Sequence, residues 1–517
     1  MKRRTKGIIV SAFFAVILVT STLSVALNST SKQNPAEKVT ITGTPADNFP
    51  DEQRPRYCQS EDAKSTPYIT EYKITTDCTQ PLAVTVDQQG KVWFAQTNTG
   101  NVAQFDPTTK QFTEFKNPSW PEKARSQFWG MDYSYDGNVW YTDDANNAIW
   151  KFSTSDGSYT LVGFPTNGES LPQHVKVLGN NVIVNDFYGG KIAVFDTRQT
   201  GDKRTYQTIP SPLPGSFVAG FDVDSHGAIW YTNWILRQGG ALLKFDYQKF
   251  LESGDVLDNS TASQFSSAYD LPASLGTPIG LSVDQNDNVW IADTFSNGFF
   301  KFDPNTEEFT KYVTPVPRQS SYGNSTGVIR SPISGPYWTQ VQDGKLFFNE
   351  QTGNAIGVFD INNEKLTEYR VPSQNPNWAD CGEMTGCGVA QVFNFKATGD
   401  KIWFTEWVEN NLGVVDLSKP VQTDLTVDQK SISIVPGQSV QLNLNLDSAS
   451  GSAQLLSSVT SSFDDLTVQM PDSASSGQAI PVKITASDAA LSGTYKLVLS
   501  ARTADVTVSQ YVTVTVQ

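Results

Sequence analysis

Carboxylates are plentiful in this sequence and imidazoles are scarce, and that imbalance bounds the chemistry available to it. The 517 residues include 53 Asp and Glu but only two histidines, His174 and His226, which nearly excludes mechanisms needing two or three imidazoles. The oxygen-bearing side chains also recur in a pattern. Gln96, Asp143, Asp186, Asn233, Asp293, Glu350 and Glu406 each end a short run of the Val-Trp-Phe type, and five of the seven are acidic. A hard cation such as Mg2+ or Ca2+ takes carboxylate and amide oxygens, and Asp293, Glu350 and Glu406 are the subset expected to hold one. With His174 as a general base, the expected catalytic set is His174, Glu350 and Glu406. Asp143, Asp186 and Asn233 join Trp129, Tyr337 and Trp338 as an expected ligand-binding rim, because aromatic faces over an acidic mouth suit a ring-bearing or cationic ligand. A position repeated so regularly also suits a repeated structural job, bonding the backbone N–H groups of the next loop. His226, in Asp-Ser-His-Gly-Ala, reads as a turn residue.

The elements that position these residues are legible as a repeat. Lys91–Phe115 reads KVWFAQTNTGNVAQFDPTTKQFTEF, and Asn288–Tyr312 and Lys345–Tyr369 are close copies. The aromatic or aliphatic anchors Trp93, Trp140, Ile183, Trp230, Trp290, Phe347 and Trp403 are spaced by 47, 43, 47, 60, 57 and 56 residues. That is the spacing of propeller blades, with the excess in loops. Each copy predicts four short strands: one before an Asp/Asn/Gly/His turn, the anchor strand, a strand ending Phe-Asp, and a Thr-Glu-Tyr strand. The copy at Lys401–Leu417 lacks its last strand, while an orphan Ile69-Thr70-Glu71-Tyr72 precedes the first copy. The N-terminal strand is therefore expected to complete the seventh blade and close the ring. Because the first strand starts at the face where the second ends, the repeated oxygens and Trp129, His174, Ile279 and Tyr337 are expected at one mouth. Long insertions over Pro118–Gln127, Asn233–Gly239, Val313–Pro336 and Val371–Gly388, carrying or flanked by Trp120, Trp234, Trp378 and Trp407, are expected to crown it.

Export is written at the N-terminus. Lys2, Arg3, Arg4 and Lys6 precede an apolar run from Ile8 to Val19, the pattern of a signal peptide. Residues 1–27 are equally long enough to remain as a membrane anchor, and residues 28–67 read as a flexible tether. In either case the rest of the chain is extracytoplasmic, secreted or held at the outer face of the membrane. Disulfides are then permitted. Cys58, Cys78, Cys381 and Cys387 allow three pairings, of which Cys58–Cys78 and Cys381–Cys387 are favoured by spacing. Asn28, Asn259 and Asn324 begin glycosylation acceptors. The formal net charge of −15 opposes nucleic-acid binding. The expected partner is a small-molecule or surface ligand, and the expected state is a monomer.

Residues 68–419 thus form the expected seven-bladed β-propeller. Residues 424–517 change character, becoming Ser-, Val- and Thr-rich with alternating strands and regular turns. An all-β immunoglobulin-like sandwich is expected there, serving adhesion or spacing.

The repeat, together with Trp-Phe-Thr-Glu at Trp403–Glu406, Asn-x-Ile-Gly at Asn354–Gly357 and Leu-Thr-Glu-Tyr at Leu366–Tyr369, resembles the streptogramin B lyase family from about Ile69 to Leu417. That resemblance implies a seven-bladed propeller. It also implies an activity, linearisation of a cyclic depsipeptide by elimination, with Mg2+, a His acid/base and carboxylates at one mouth. Glu350 and Glu406 occupy the family's Glu position. His174 stands where the first strand carries Gly in TPIGLSV, whereas the family's second His has no counterpart. Gluconolactonase-type propellers are a looser resemblance. The expected function is a ligand-binding or sensing propeller with a degenerate lyase site. The alternatives are an active metal-dependent lyase or lactonase and a cell-envelope adhesin.

Overall fold

The computed structural model describes residues 57–517, apart from 122–123, 166–169, 199–205, 214, 237, 256, 258, 325–331 and 462–463. The expected signal or anchor segment, and residues 28–56 of the expected tether, lie outside the described residues. Among the described residues no helix is long and apolar enough to cross a membrane.

Hairpin chemistry sets the blades. In the first blade, Asp87 accepts from the backbone N–H of Gln89 and Lys91, both at 2.9 Å, and from the Trp93 indole at 2.8 Å. Asp224 holds Trp230 at 3.0 Å and Asp284 holds Trp290 at 2.9 Å in the same way. One carboxylate therefore fixes the turn, and with it the strand register, while satisfying a buried indole. The anchored rings then join the blades. Trp93 packs on Phe152, Trp140 on Phe195, Trp230 on Phe302, Trp290 on Phe359 and Trp403 on Phe105, with centroids 5.6–5.9 Å apart. In each pair the second ring is the Phe (or its equivalent) of the next blade's third strand. Such pairs stabilise by about 0.5–1.5 kcal/mol beyond their burial. The Asp after that Phe starts the next turn, as Asp106 does with Thr108 N at 2.8 Å and Asp360 with Asn362 N at 3.0 Å.

The result is the seven-bladed propeller, each blade four antiparallel strands. The innermost strands, Pro81–Val86, Met131–Ser134, Pro172–Leu178, Phe217–Val223, Pro278–Val283, Pro336–Gln342 and Val392–Thr398, contact one another in a closed ring. Their backbones approach so closely that a Cβ on Gly220 would meet Ile279 O at 2.3 Å, and one on Gly280 would meet Tyr337 O at 2.2 Å. Ring closure follows the orphan strand: Ile69–Lys73 pairs with Asn411–Asp416 in the register Ile69↔Val415 to Lys73↔Asn411. Residues 57–67 are not a free tether. Gln59 N donates to Val408 O at 2.9 Å, and Ser60 and Glu61 donate to the Glu409 carboxylate. Cys58–Cys78 and Cys381–Cys387 are both bonded, in keeping with an extracytoplasmic protein.

The long gap after Trp230 contains a short helix, Tyr247–Ser253, capped by Asp246 accepting from Lys249 N. Beyond the propeller, two sheets enclose a second core formed by Leu425, Leu442, Leu455, Val482, Leu497, Val512 and neighbours. This sandwich is not a spacer at the end of a linker. Its last strand, Val506–Val516, pairs with the outer strand of blade 6, Lys365–Arg370, from Lys365↔Gln510 to Tyr369↔Val506. Blade 6 and one sandwich sheet are therefore a single sheet, and the outer edge of that blade is covered. Tyr511 Oη donates to Val313 O at 2.7 Å, and Lys496 pairs with Glu364 at 2.6 Å, fixing the sandwich against blades 5 and 6.

Candidate functional site

The innermost strands share one irregularity. In six blades the register with the second strand slips near the mouth, between Pro81/Val84, Pro172/Val175, Val218/Phe221, Pro278/Leu281, Pro336/Thr339 and Val392/Phe395. A bulge re-aims the side chains it carries. In three of these blades the bulge holds Gly or aliphatic residues, Leu82 and Ala83, Ala219 and Gly220, and Ile279 and Gly280, but in the other three it holds Gln173 and His174, Tyr337 and Trp338, and Phe393 and Asn394. Across the axis, the His174 ring meets Trp338 at 5.1 Å, and Phe221 flanks it at 4.7 Å. Asn394 Nδ2 donates to Trp129 O at 2.9 Å, and Trp129 packs on Phe393 at 5.7 Å. Four buried polar atoms on these bulges have no hydrogen-bond partner among the described residues: Gln173 Oε1, His174 Nδ1, Tyr337 Oη and Trp338 Nε1.

Charged residues line the axis beneath this layer. Lys176 pairs with Asp222, and Lys396 with Asp132 at 3.4 Å. Asp132 also accepts from Val177 N, and Asp222 from Val283 N, both at 2.9 Å. These side chains stitch neighbouring innermost strands together. Burial lowers the His174 pKa to about 4, with Lys176 pushing in the same direction and Asp222 opposing it. His174 is therefore a neutral imidazole across the physiological range. Asp144, beside Asp143, is driven the other way. Burial raises it to about 7 against bonds from Gln127 N and Ser126 Oγ, both at 3.0 Å. None of Asp132, Asp144, Lys176, Asp222 or Lys396 stood out in the sequence. The available signal was alternation along the first strand, which sends Asp132, Lys176, Asp222 and Lys396 to the axis.

The repeated strand ends do sit at the mouth, as Pro81↔Gln96, Pro172↔Asp186, Pro278↔Asp293, Pro336↔Glu350 and Val392↔Glu406 show. Their side chains, however, turn into their own blades. Asp143 accepts from Ser126, Asn146 and the Trp150 indole. Asp186 accepts from Leu171 N and Gly189 N, both at 2.8 Å. Asn233 bonds Ser211, Ser216 and Phe217 O. Asp293 accepts from Thr277 N at 2.9 Å and from Ser296 Oγ at 2.9 Å. The repeated oxygen is a loop clamp.

Glu350 and Glu406 do something else. Burial and an adjacent carboxylate, Glu368 for Glu350 and Glu71 for Glu406, push both well above the ordinary carboxylate range. The Thr-Glu-Tyr glutamate of the outer strand thus meets the strand-end glutamate inside the same blade. Small residues on the intervening strand make room. Glu368 lies opposite Gly357 and Glu71 opposite Gly413, and a Cβ on those glycines would strike the Phe348 or Phe404 ring at 2.4 or 2.2 Å. Asn354 and Asn410, which open the Asn-x-Ile/Leu-Gly motif, bond across to the next segment: Asn354 Oδ1 accepts from Ala390 N and Asn410 Oδ1 from Thr79 N, both at 2.8 Å.

These placements correct three expectations. Glu350 and Glu406 do not face His174, whose charged surroundings are Lys176, Asp222, Asp132 and Lys396. Asp293, Glu350 and Glu406 do not converge on Mg2+ or Ca2+. Asp293 is taken up by Thr277 N and Ser296 Oγ, Glu350 and Glu406 are each set against a second carboxyl within their own blade, and among the described residues no group of three or more His, Cys, Asp or Glu is arranged to hold a metal. The donor set therefore does not fit the cation that the lyase resemblance implies. Apart from the half-buried Trp120, the aromatic crown is also not exposed: Trp129, Trp234, Tyr337, Trp338, Trp378 and Trp407 are all at most 5% exposed. They form a plug in which Trp378 packs on Trp407 at 5.2 Å and Phe393 on Trp407 at 5.6 Å. The reason is packing: the loop pinned by Cys381–Cys387 and residues 57–61 fold down over blade 7. His226 is in a hairpin tip at the other end, 3.2 Å from Asp287.

No protein-family model matches the chain, and no curated protein matches it. Among solved structures, a catalytically inactive virginiamycin B lyase from Staphylococcus aureus with quinupristin is 22% identical at a TM-score of 0.50, matching 69% of this chain and 100% of that one. A streptogramin B lyase structure is 20% identical at a TM-score of 0.51, matching 68% of this chain and 97% of that one. At such identities the likeness is one of fold, and it establishes the propeller.

Proposed function

We propose that this protein is an extracytoplasmic ligand-binding or sensing propeller whose axial mouth keeps the lyase architecture without a lyase catalytic set. The observation that carries this reading is the quartet of partnerless buried polar atoms on the mouth bulges, Gln173 Oε1, His174 Nδ1, Tyr337 Oη and Trp338 Nε1. Buried polar groups without partners are costly, and here three of the four belong to the rings of His174, Trp338 and Tyr337, which meet in series and are flanked by Phe221 and Phe393, the aromatic composition of a small-molecule site. Against elimination chemistry stands the state of the only histidine at this end. A neutral imidazole with a pKa of about 4 is a weak base for removing an α-proton, and no carboxylate set supports a cation beside it. The immunoglobulin-like assignment of the sandwich belongs to the same proposal, supported by its two-sheet pairing. Secretion or anchoring through residues 1–27 belongs there too, supported by their signal-like sequence.

The test uses quinupristin, the ligand of the S. aureus lyase structure, as probe. The purified ectodomain is incubated with it in the presence of Mg2+ and the products are separated by chromatography. The expected outcome is no ring-opened product, with any binding seen as quenching of tryptophan fluorescence and lost in Trp338→Ala. Ring opening that disappears in His174→Ala would replace this proposal with an active lyase.

A further inference from the structure

Where the sandwich meets the propeller, an open groove of about 540 Å3 runs along the sandwich, lined by Arg318 from the loop after blade 5 and by Arg502, Gln454, Ser473, Ser475 and Gln478 from the sandwich. Strand alternation explains its polarity. Arg502 lies opposite Gln454, which lies opposite Ser473, and Ser452 lies opposite Ser475. One face of this sheet edge therefore presents a cross-strand row of guanidinium, amide and hydroxyl groups, while Ala453, Leu455 and Ala501 on the other face enter the sandwich core.

The two arginines are held from both sides of the junction. Arg318 Nη2 donates to the Thr503 carbonyl of the sandwich, and Arg502 Nη2 donates to the Val316 carbonyl of the propeller. Arg502 Nε also reaches Thr507 Oγ1 at 3.3 Å. Each guanidinium carries five N–H donors, so both keep donors for the groove they line. Their charge is under-compensated. Arg318 feels repulsion from Arg502 and Arg370, and among the described residues none of these three arginines forms an ion pair. Glu368 and Asp505 attract Arg318, and Glu368 and Glu350 attract Arg502, but the two buried glutamates are both pushed toward the protonated form, so these acids offset three guanidinium charges only in part. On a chain of net charge −15, this is a locally positive, hydroxyl-rimmed groove.

We propose that this groove is a second ligand site, separate from the axial mouth, that binds an acidic saccharide. Arg318 and Arg502 take its oxyanion in the bidentate manner suited to guanidinium groups, and Gln454, Gln478, Ser473 and Ser475 bond its hydroxyls. A carboxylate, a sulfate ester or a phosphate ester supplies the same oxyanion chemistry. Titration calorimetry of the full ectodomain against D-glucuronate, N-acetylglucosamine 6-sulfate and glucose 6-phosphate distinguishes the three, with glucose as the neutral control. The expected result is saturable binding of at least one acidic sugar, weakened by added salt. Arg318→Gln weakens it about tenfold or more, Arg318→Lys keeps part of it, and the mouth variant Trp338→Ala leaves it unchanged. Near-ultraviolet circular dichroism confirms that each variant is folded. The proposal is overturned if none of the acidic sugars saturates up to about 10 mM, if glucose binds as well as they do, or if Arg318→Gln is folded and binds normally.

Discussion

Two buried carboxyl groups, Glu406 and Glu71, face each other where the ring closes, and replacing Glu406 by Gln tests whether Glu406 holds a proton there. Glu406 is fully buried at the end of its strand, against Glu71 of the closing strand. The Glu71 oxygens accept from Lys64 N at 2.7 Å, Ser373 N at 3.0 Å and Ser373 Oγ at 2.6 Å, and Asn411 Nδ2 donates to Glu406 Oε2 at 2.8 Å. Every partner of Glu71 is a donor, so Glu406 is the member that carries the proton. Its pKa is raised in the fold, first by burial and then by Glu71. The folded state therefore binds a proton that the unfolded chain releases above the ordinary carboxylate pKa. Stability from this group is complete below that value and declines as pH rises toward the raised folded pKa. Within the window the loss is about 1.4 kcal/mol per pH unit. Gln supplies the N–H donor permanently and does not titrate. Urea unfolding followed by tryptophan fluorescence from pH 5 upward is expected to give Glu406→Gln a pH slope shallower than the wild type, by up to about 1.4 kcal/mol per unit while the pH stays below the raised folded pKa, so that the variant gains on the wild type as pH rises. Other raised acids, including Asp144 at about 7, contribute equally to both proteins and cancel in the difference. Parallel slopes for the two proteins, or a variant less stable by the same amount at every pH, would refute the shared-proton closure.

Gly413→Ala is expected to destabilise by about 1–3 kcal/mol, because its Cβ would enter the Phe404 ring at 2.2 Å; an unchanged urea midpoint would contradict that packing. Cys58→Ser with Cys78→Ser opens a loop with a sequence separation of 20. The expected loss is about 2–4 kcal/mol, read as a lower melting temperature under non-reducing conditions; an unchanged melting temperature would contradict it. Truncation after Leu417 strips Val506–Val516 from the outer strand of blade 6 and uncovers Tyr312, Phe348 and Leu366, which pack in one cluster with Val498 and Tyr511 of the removed sandwich. Light scattering is expected to show association of the truncated propeller, and a monodisperse product with the parent melting temperature would show that the sandwich is dispensable.

The propeller was legible because its instructions are local. An Asp six residues before a Trp builds a hairpin and satisfies an indole. A Phe-Asp pair ends one strand and starts the next turn, and an unpaired Thr-Glu-Tyr strand at one terminus announces the closure. The site was less legible because side-chain direction is not local. The same Glu ends a strand whether it points to the axis or into its own blade. That choice was made by Gly357 and Gly413, which leave room beside Phe348 and Phe404 for a second glutamate on the outer strand. Both halves of each pair were visible as motifs; their meeting was not. Likewise His174 was visible as one of two histidines, but only bulges on opposite blades bring it against Trp338. The pairing of Val506–Val516 with blade 6, and with it the arginine-lined groove, joins strands more than a hundred residues apart by backbone bonds that carry no residue signature. Sequence determined the repeat and its closure, because both depend on spacing and local turn chemistry, and it favoured one of three cysteine pairings without deciding it. Tertiary structure alone decided which carboxylates share protons, which aromatics close the mouth and where positive charge collects, because burial and proximity between distant strands set all three.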